Sequence, residues 1–363
     1  MKVKKIIIIS LCLLLIASYL LFINTTYVNF IDIEQSNFNN CYLNSQANII
    51  SQLAYADDKL YYNYNNNFFK YGTYEISETV TKRIYWEGPS VLSPTLSLDN
   101  IVDDKILHNN INNDKLEYFD IKEKKYLSYF DIKSTPNFKP KSYFIANGEY
   151  YYYDSEFSLY KITANNNVEL VLSNELIGFE SYSTPQFYNN YIYFIATRNI
   201  NENDVEEYLC KYDTNSKKIV SEMLYYKGDV LSGGLKRFSC SIVANNKVYG
   251  FASNVYNELP LDNNTYVYVA DIENKTSKSI FKTDSNVILN CYEDKVFMCV
   301  ENGNDKGIYY INTINNEVTK IFDSEKISGL YIVDSTWLYF IGKDNNLYRV
   351  TQDGKILEKV FGW

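Results

Sequence analysis

Apolar and polar positions alternate along this chain in short runs, and the runs recur in a fixed order. An apolar strand leads into a tight polar turn and a Tyr-rich strand. After a loop come a Leu-Tyr-type strand and a second polar turn. Runs of this length and period, rich in Tyr, Ile, Val and Phe, predict strands rather than helices. The first turn occurs seven times, at Asp57-Asp58, Asp103-Asp104, Asn147-Gly148, Asn189-Asn190, Asn245-Asn246, Glu293-Asp294 and Ser335-Thr336. Successive turns lie 46, 44, 42, 56, 48 and 42 residues apart. Four strands per period of about 40–50 residues is the spacing of a β-propeller blade. The pattern predicts an all-β propeller of about seven four-stranded blades, six to eight at the limits, over residues 49–363.

With strands lettered A to D from the axis outward, the third unit reads 143–146, 150–153, 159–162 and 168–172. The fourth places B at 191–196, C at 208–212 and D at 218–223. The second half of the first unit, around 74–77, has poor turn chemistry and reads as degenerate. Two insertions between B and C, 199–207 and 254–265, interrupt the repeat. Antiparallel strands alternate in direction. The A–B and C–D turns therefore share one face of the disc, and the B–C loops and D-to-A connections share the other. Both insertions fall on that second, irregular face, with the connections 87–94, 134–140, 173–185 and 227–237. Function is expected there, since loops on a rigid scaffold carry binding and catalysis.

Composition refines this picture. Tyr (37) and Phe (20) outnumber Gly (14) and Pro (6), and Asn, Ile and Lys abound, as A/T-rich codons would produce. The Asn runs sit at turns, where Asn tolerates positive φ. Lys2, Lys4 and Lys5 precede an uncharged apolar run at 6–23. That length can span a bilayer, and the lysines orient the bulk of the chain outward. The run is read as an uncleaved signal-anchor; the alternative is a cleaved signal peptide, against which stands the bulky end at Leu20-Leu21-Phe22-Ile23. The expected organisation is a cytoplasmic stub at 1–5, a single-pass transmembrane helix at 6–23, a linker at 24–48 and an extracytoplasmic, monomeric propeller. Taking the anchor's +3 from the net charge of −9 leaves −12 outside, which disfavours nucleic acid as a partner. Of the six cysteines, none has C-x-x-C or zinc-ribbon spacing, and buried strand thiols are expected.

The candidate chemistry is sparse. His108 is the single histidine, so multi-His metal sites are excluded, and it reads as the end of a strand. Trp86 and Glu87 form an aromatic–carboxylate pair on the irregular face, of the kind that sugar-binding and glycosidase sites use. Asn199, Asn201, Asn203, Asp204 and Glu207 supply hard oxygens suited to calcium, without the glycine of a calcium loop. Lys236 and Arg237 are positive charges on an acidic globule, placed to meet an anionic group on a partner.

Tyr151-Tyr152-Tyr153-Asp154 with Leu159-Tyr160-Lys161-Ile162, and Leu338-Tyr339-Phe340-Ile341 with Leu347-Tyr348-Arg349-Val350, resemble the YWTD-type propellers of the low-density-lipoprotein-receptor family. They look closer to bacterial domains of unknown function grouped with that family. The likeness covers 49–361 and marks strands and turns; a true Tyr-Trp-Thr-Asp is absent, and seven units stand where the receptors have six. It implies a fold and carries over no functional residue.

Without a catalytic constellation in the sequence, the expectation is a non-enzymatic binding or scaffold module for a cell-surface protein or envelope partner. The alternative is a glycan-active hydrolase or lyase working from the irregular face.

Overall fold

The computed structural model describes residues 53–361 apart from 57–58, 65–71, 78–80, 86–100, 103–104, 111–114, 124, 131–139, 147–148, 155, 157, 164–167, 183–184, 230–238, 254–263, 324–326 and 334, and, outside that span, Leu15. Seven antiparallel sheets follow one another, at 53–85, 101–130, 140–172, 181–229, 239–283, 287–322 and 327–361. Each takes its strands in chain order. The fourth has five, because its first strand is split into Ser181–Tyr182 and Gln186–Tyr188, both paired with Tyr191–Asn199. First strands meet between the first and second sheets, along the fourth to seventh sheets, and between the seventh and the first, so strand A lies innermost there.

Wherever its side chains are described, the second strand of a sheet is buried on both sides, which is why it reads as an apolar run rather than a clean alternation. Strand parity sends its second and fourth residues toward the preceding sheet and its third toward the following one. Ile192 and Phe194 pack with Tyr151 and Leu159 of the third sheet, whereas Tyr193 packs with Val243, Val248 and Ala270 of the fifth. Tyr249 meets Val296 and Met298 of the sixth sheet, and Phe297 meets Leu338 and Phe340 of the seventh. The same rule joins the last sheet to the first: Tyr339 and Ile341 share a cluster with Leu60, Tyr62 and Tyr74. Phe361 completes it, its ring 5.6 Å from Tyr62, 5.6 Å from Tyr64 and 4.8 Å from Tyr74. The Tyr62 hydroxyl donates to the Asn345 carbonyl at 2.7 Å. The seventh sheet supplies all four of its own strands, so the ends meet by side-chain packing and not by a shared strand.

The Leu-Tyr motif has a geometric cause. In six sheets the C–D pairing slips immediately after the C-strand residue opposite the fifth residue of strand B: Thr73, Leu116, Leu159, Val267, Ile308 and Leu347. A bulge raises local twist, which each sheet needs to keep its neighbours splayed around an axis. Five of the six residues that follow are Tyr; the exception is Glu117.

Several expectations are corrected. The first unit is complete, with strands Gly72–Ile76 and Thr81–Tyr85. Gly72, at φ +144, lets the backbones close up where a Cβ would stand 2.5 Å from the Tyr85 carbonyl oxygen. Gly307 opens the third strand of the sixth sheet in the same way, at φ +149. His108 does not end its strand, which runs Lys105–Asn110. The fourth unit's strands are longer than predicted, at Tyr191–Asn199, Asp204–Asp213 and Lys218–Asp229. The connection after the third sheet contains a short helix, α1 (Asn174–Ile177), capped by Ser173 and ended by Gly178 at φ 72. Buried Cys291 and Cys299 face opposite neighbours of the sixth sheet, and Cys210 is buried in the fourth. Among the described residues no helix is long and apolar enough to cross a membrane; 6–23 lies outside them except for Leu15.

If Phe361 holds the two ends together, Phe361→Ala should cost about 3–5 kcal/mol in denaturant unfolding of the full chain. A loss near zero would mean that the first and last sheets are held by something else.

Candidate functional site

The fourth sheet departs from the repeat on the irregular face. Strands B and C run on past the register where the other sheets end, to Asn199 opposite Val205, and strand D follows them to Asp229. The expected insertion 199–207 is therefore mostly strand, with its tip at 200–203. The bulge moves with it. One slip falls between Glu207 and Tyr208, two residues beyond Leu209, which is paired with the fifth residue of strand B, and a second falls between Lys211 and Tyr212.

Glu207 is the one buried Asp or Glu among the described residues, 5% exposed. Its neighbours on that side of the strand are Val205 and Leu209, both buried, so a carboxylate occupies an apolar row. A buried charge is tolerated only with partners. The Tyr225 hydroxyl donates to Glu207 Oε2 at 2.6 Å. The opposite side of the same strands carries a second group. The Arg198 guanidinium carbon lies 4.7 Å from the Phe179 ring centroid and 5.2 Å from that of Tyr208. Glu206, paired across the strands with Arg198, accepts from the Tyr208 hydroxyl at 2.7 Å and from Lys227 Nζ at 2.8 Å. The Lys227 and Tyr208 bonds hold the Glu206 carboxyl below its ordinary value of 4.5, and that carboxylate raises Tyr208 in turn. Phe179 reaches the site because Gly178 turns the chain after α1, and Glu180 then accepts from the Asn199 amide at 3.1 Å.

Of the residues singled out in the sequence, Trp86, Glu87, Lys236 and Arg237 lie outside the described residues, as does 254–263. Asn199, Asn201, Asn203 and Asp204 come together at the hairpin tip. There Asn201 Oδ1 accepts from the amides of Asn203 and Asp204, and Asn201 Nδ2 donates to Asp204 Oδ2 at 2.8 Å. Glu207 is not with them; it is buried in line with Val205 and Leu209 and accepts from Tyr225. Arg198, Tyr208 and Tyr225 were missed. The one available sign was Glu207 itself, in phase with Val205 and Leu209.

No protein-family model and no curated protein matches the chain. Solved structures do. The tricorn protease superposes with a TM-score of 0.52 at 9% identity, over 91% of this chain and 36% of that one. Puromycin hydrolase gives 0.47 at 8% identity, over 92% and 50%. Oligogalacturonate lyase in complex with manganese gives 0.44 at 9% identity, over 68% and 70%. The chain thus spans 36% of the protease chain that it matches and 50% of the hydrolase chain. Likeness at this identity shows the fold, a β-propeller; it does not extend to the narrower YWTD-type resemblance. It also corrects the functional expectation. The solved structures with this fold carry the names of a protease, a hydrolase and a lyase, and the reading as a non-enzymatic scaffold is not kept.

The Glu206 carboxyl titrates low because its anion is bound, so its contribution is complete above the unfolded value and is lost as pH falls through the folded one. A carboxyl-carbon NMR titration should place its midpoint below 4.5, and Lys227→Gln should move that midpoint up. A wild-type midpoint at or above 4.5 would contradict the bonding described.

Proposed function

We propose that this chain is a glycan-active hydrolase or lyase that works from the irregular face, with Glu207 as its acid–base group. The observation that carries this reading is the displaced bulge: where the fourth sheet outgrows the repeat it buries Glu207, the one buried Asp or Glu among the described residues. Buried polar groups that break the local pattern are commonest at functional sites. Glycan cleavage by either route needs a proton moved at the glycosidic oxygen or beside it. A carboxylate and a phenol 2.6 Å apart can exchange one. Glu206 is not the second carboxylate of a glycosidase pair with Glu207, because the two side chains leave opposite faces of one strand. Counted on the sequence alone, the connections that carry Trp86, Glu87, Lys236 and Arg237 would open on this same face. The likeness to a lyase and a hydrolase supports the class of chemistry alone. In this reading the seven sheets close as a ring of seven blades, and the segment 6–23 anchors the enzyme at the outer side of a membrane with 24–48 as a spacer.

The test is a panel of neutral and acidic polysaccharides incubated with the full chain in mild detergent. A hydrolase releases reducing ends, and a lyase also generates the ultraviolet absorbance of an unsaturated end. Glu207→Gln should lower the rate by roughly 10²–10⁴-fold while the fold, followed by circular dichroism, persists. Failure to cleave any member, or full activity in Glu207→Gln, would remove the proposal.

A further inference from the structure

Arg198 is exposed and sits over the Phe179 and Tyr208 rings, which are themselves 5.5 Å apart. Stacking fixes the guanidinium without using its N–H groups. Among the described residues none of those N–H groups donates to a protein acceptor. Glu206, the nearest carboxylate in register, has its oxygens engaged by Tyr208 and Lys227. An arginine held this way presents a fork of donors whose geometry matches a carboxylate with two parallel bonds. A partly exposed aromatic, Tyr208, lies beside it, and a sugar ring can rest on such a surface.

We propose that Arg198 is a subsite for the carboxylate of a uronic acid, which makes the substrate of this face an acidic glycan. The inference rests on the glycan-active reading and deepens it. Arg198 and Glu207 leave opposite sides of the same hairpin, so one sugar cannot touch both. Arg198 therefore holds a uronate further along the polymer from the residue that reacts, and binding is its role rather than proton transfer. Phe179 is delivered by α1 and Tyr208 by strand C, so the subsite exists because two separate segments meet over one side chain.

The experiment is calorimetric titration of the full chain in mild detergent with four probes: an oligogalacturonate, its methyl ester, a sulfated oligosaccharide without carboxylates, and a peptide with a free C-terminal carboxylate. The oligogalacturonate should bind and its ester should not. Arg198→Gln and Arg198→Lys should each weaken binding by on the order of tenfold to a hundredfold, the lysine because it keeps the charge and loses the fork. Lys275→Gln, on the opposite face, should bind as wild type, which separates the subsite from net charge. Both Arg198 variants should melt within about 5 °C of wild type, since the side chain is exposed. The proposal is overturned if the ester binds equally, if Arg198→Gln binds unchanged, or if the sulfated oligosaccharide or the peptide shows the Arg198-dependent binding instead. If a neutral glycan is cleaved in a Glu207-dependent way and no acidic oligomer binds, the enzyme reading stands and this one falls. If oligogalacturonate binds through Arg198 and nothing is cleaved, the reverse holds.

Discussion

Everything in this molecule depends on a strand that has no exposed face. Wherever its side chains are described, the second strand of a sheet is covered on one side by the sheet before it and on the other by the sheet after it. Its third residue is Tyr or Phe in six of seven units: Tyr61, Tyr151, Tyr193, Tyr249, Phe297 and Tyr339, with Leu107 as the exception. A large flat side chain fills the wedge that twisted sheets leave between them, and fully burying one contributes about 1.5–3 kcal/mol. The last sheet meets the first by the same packing, with Tyr339, Ile341 and Phe361 against Leu60, Tyr62 and Tyr74.

A second layer of contacts ties neighbours together on the tight-turn face. Lys247 donates to the Thr313 carbonyl of the next sheet, and Lys295 to Gln352 of the one after. Asp294 accepts from the Asn245 amide and from the Tyr188 hydroxyl, drawing the turns of three successive sheets together near the axis. Burial and that bond raise the Tyr188 phenol to about 12, so it remains a donor across the physiological range. These turns are committed to structure.

The extended hairpin of the fourth sheet shows how a repeat acquires a site. Lengthening strands B and C moves the bulge outward by two residues and brings Glu207 to the position that Thr73, Leu116, Leu159, Val267, Ile308 or Leu347 holds elsewhere. Strand parity then assigns neighbouring residues to different tasks. Glu207 lies beside buried Val205 and Leu209 and accepts from Tyr225, while Glu206 and Tyr208 join Arg198 on the other side.

The sequence by itself determined the period, the tight turns and the existence of most strands, because all of these are local. Hydrophobic alternation and turn chemistry act over a few residues, and the face on which a loop emerges follows from counting reversals. What it could not determine is which polar residues meet. Residues 199–207 carry the Asn, Asp and Glu of a loop, and only pairing with strand D makes most of them strand, since a third strand satisfies backbone groups that composition alone would leave to water. Arg198, Phe179 and Tyr208 come from different segments, joined by a helix of one turn and a left-handed glycine that no periodicity announces. The tertiary structure decided the site because it depends on long-range register, and register is set by the packing of whole sheets.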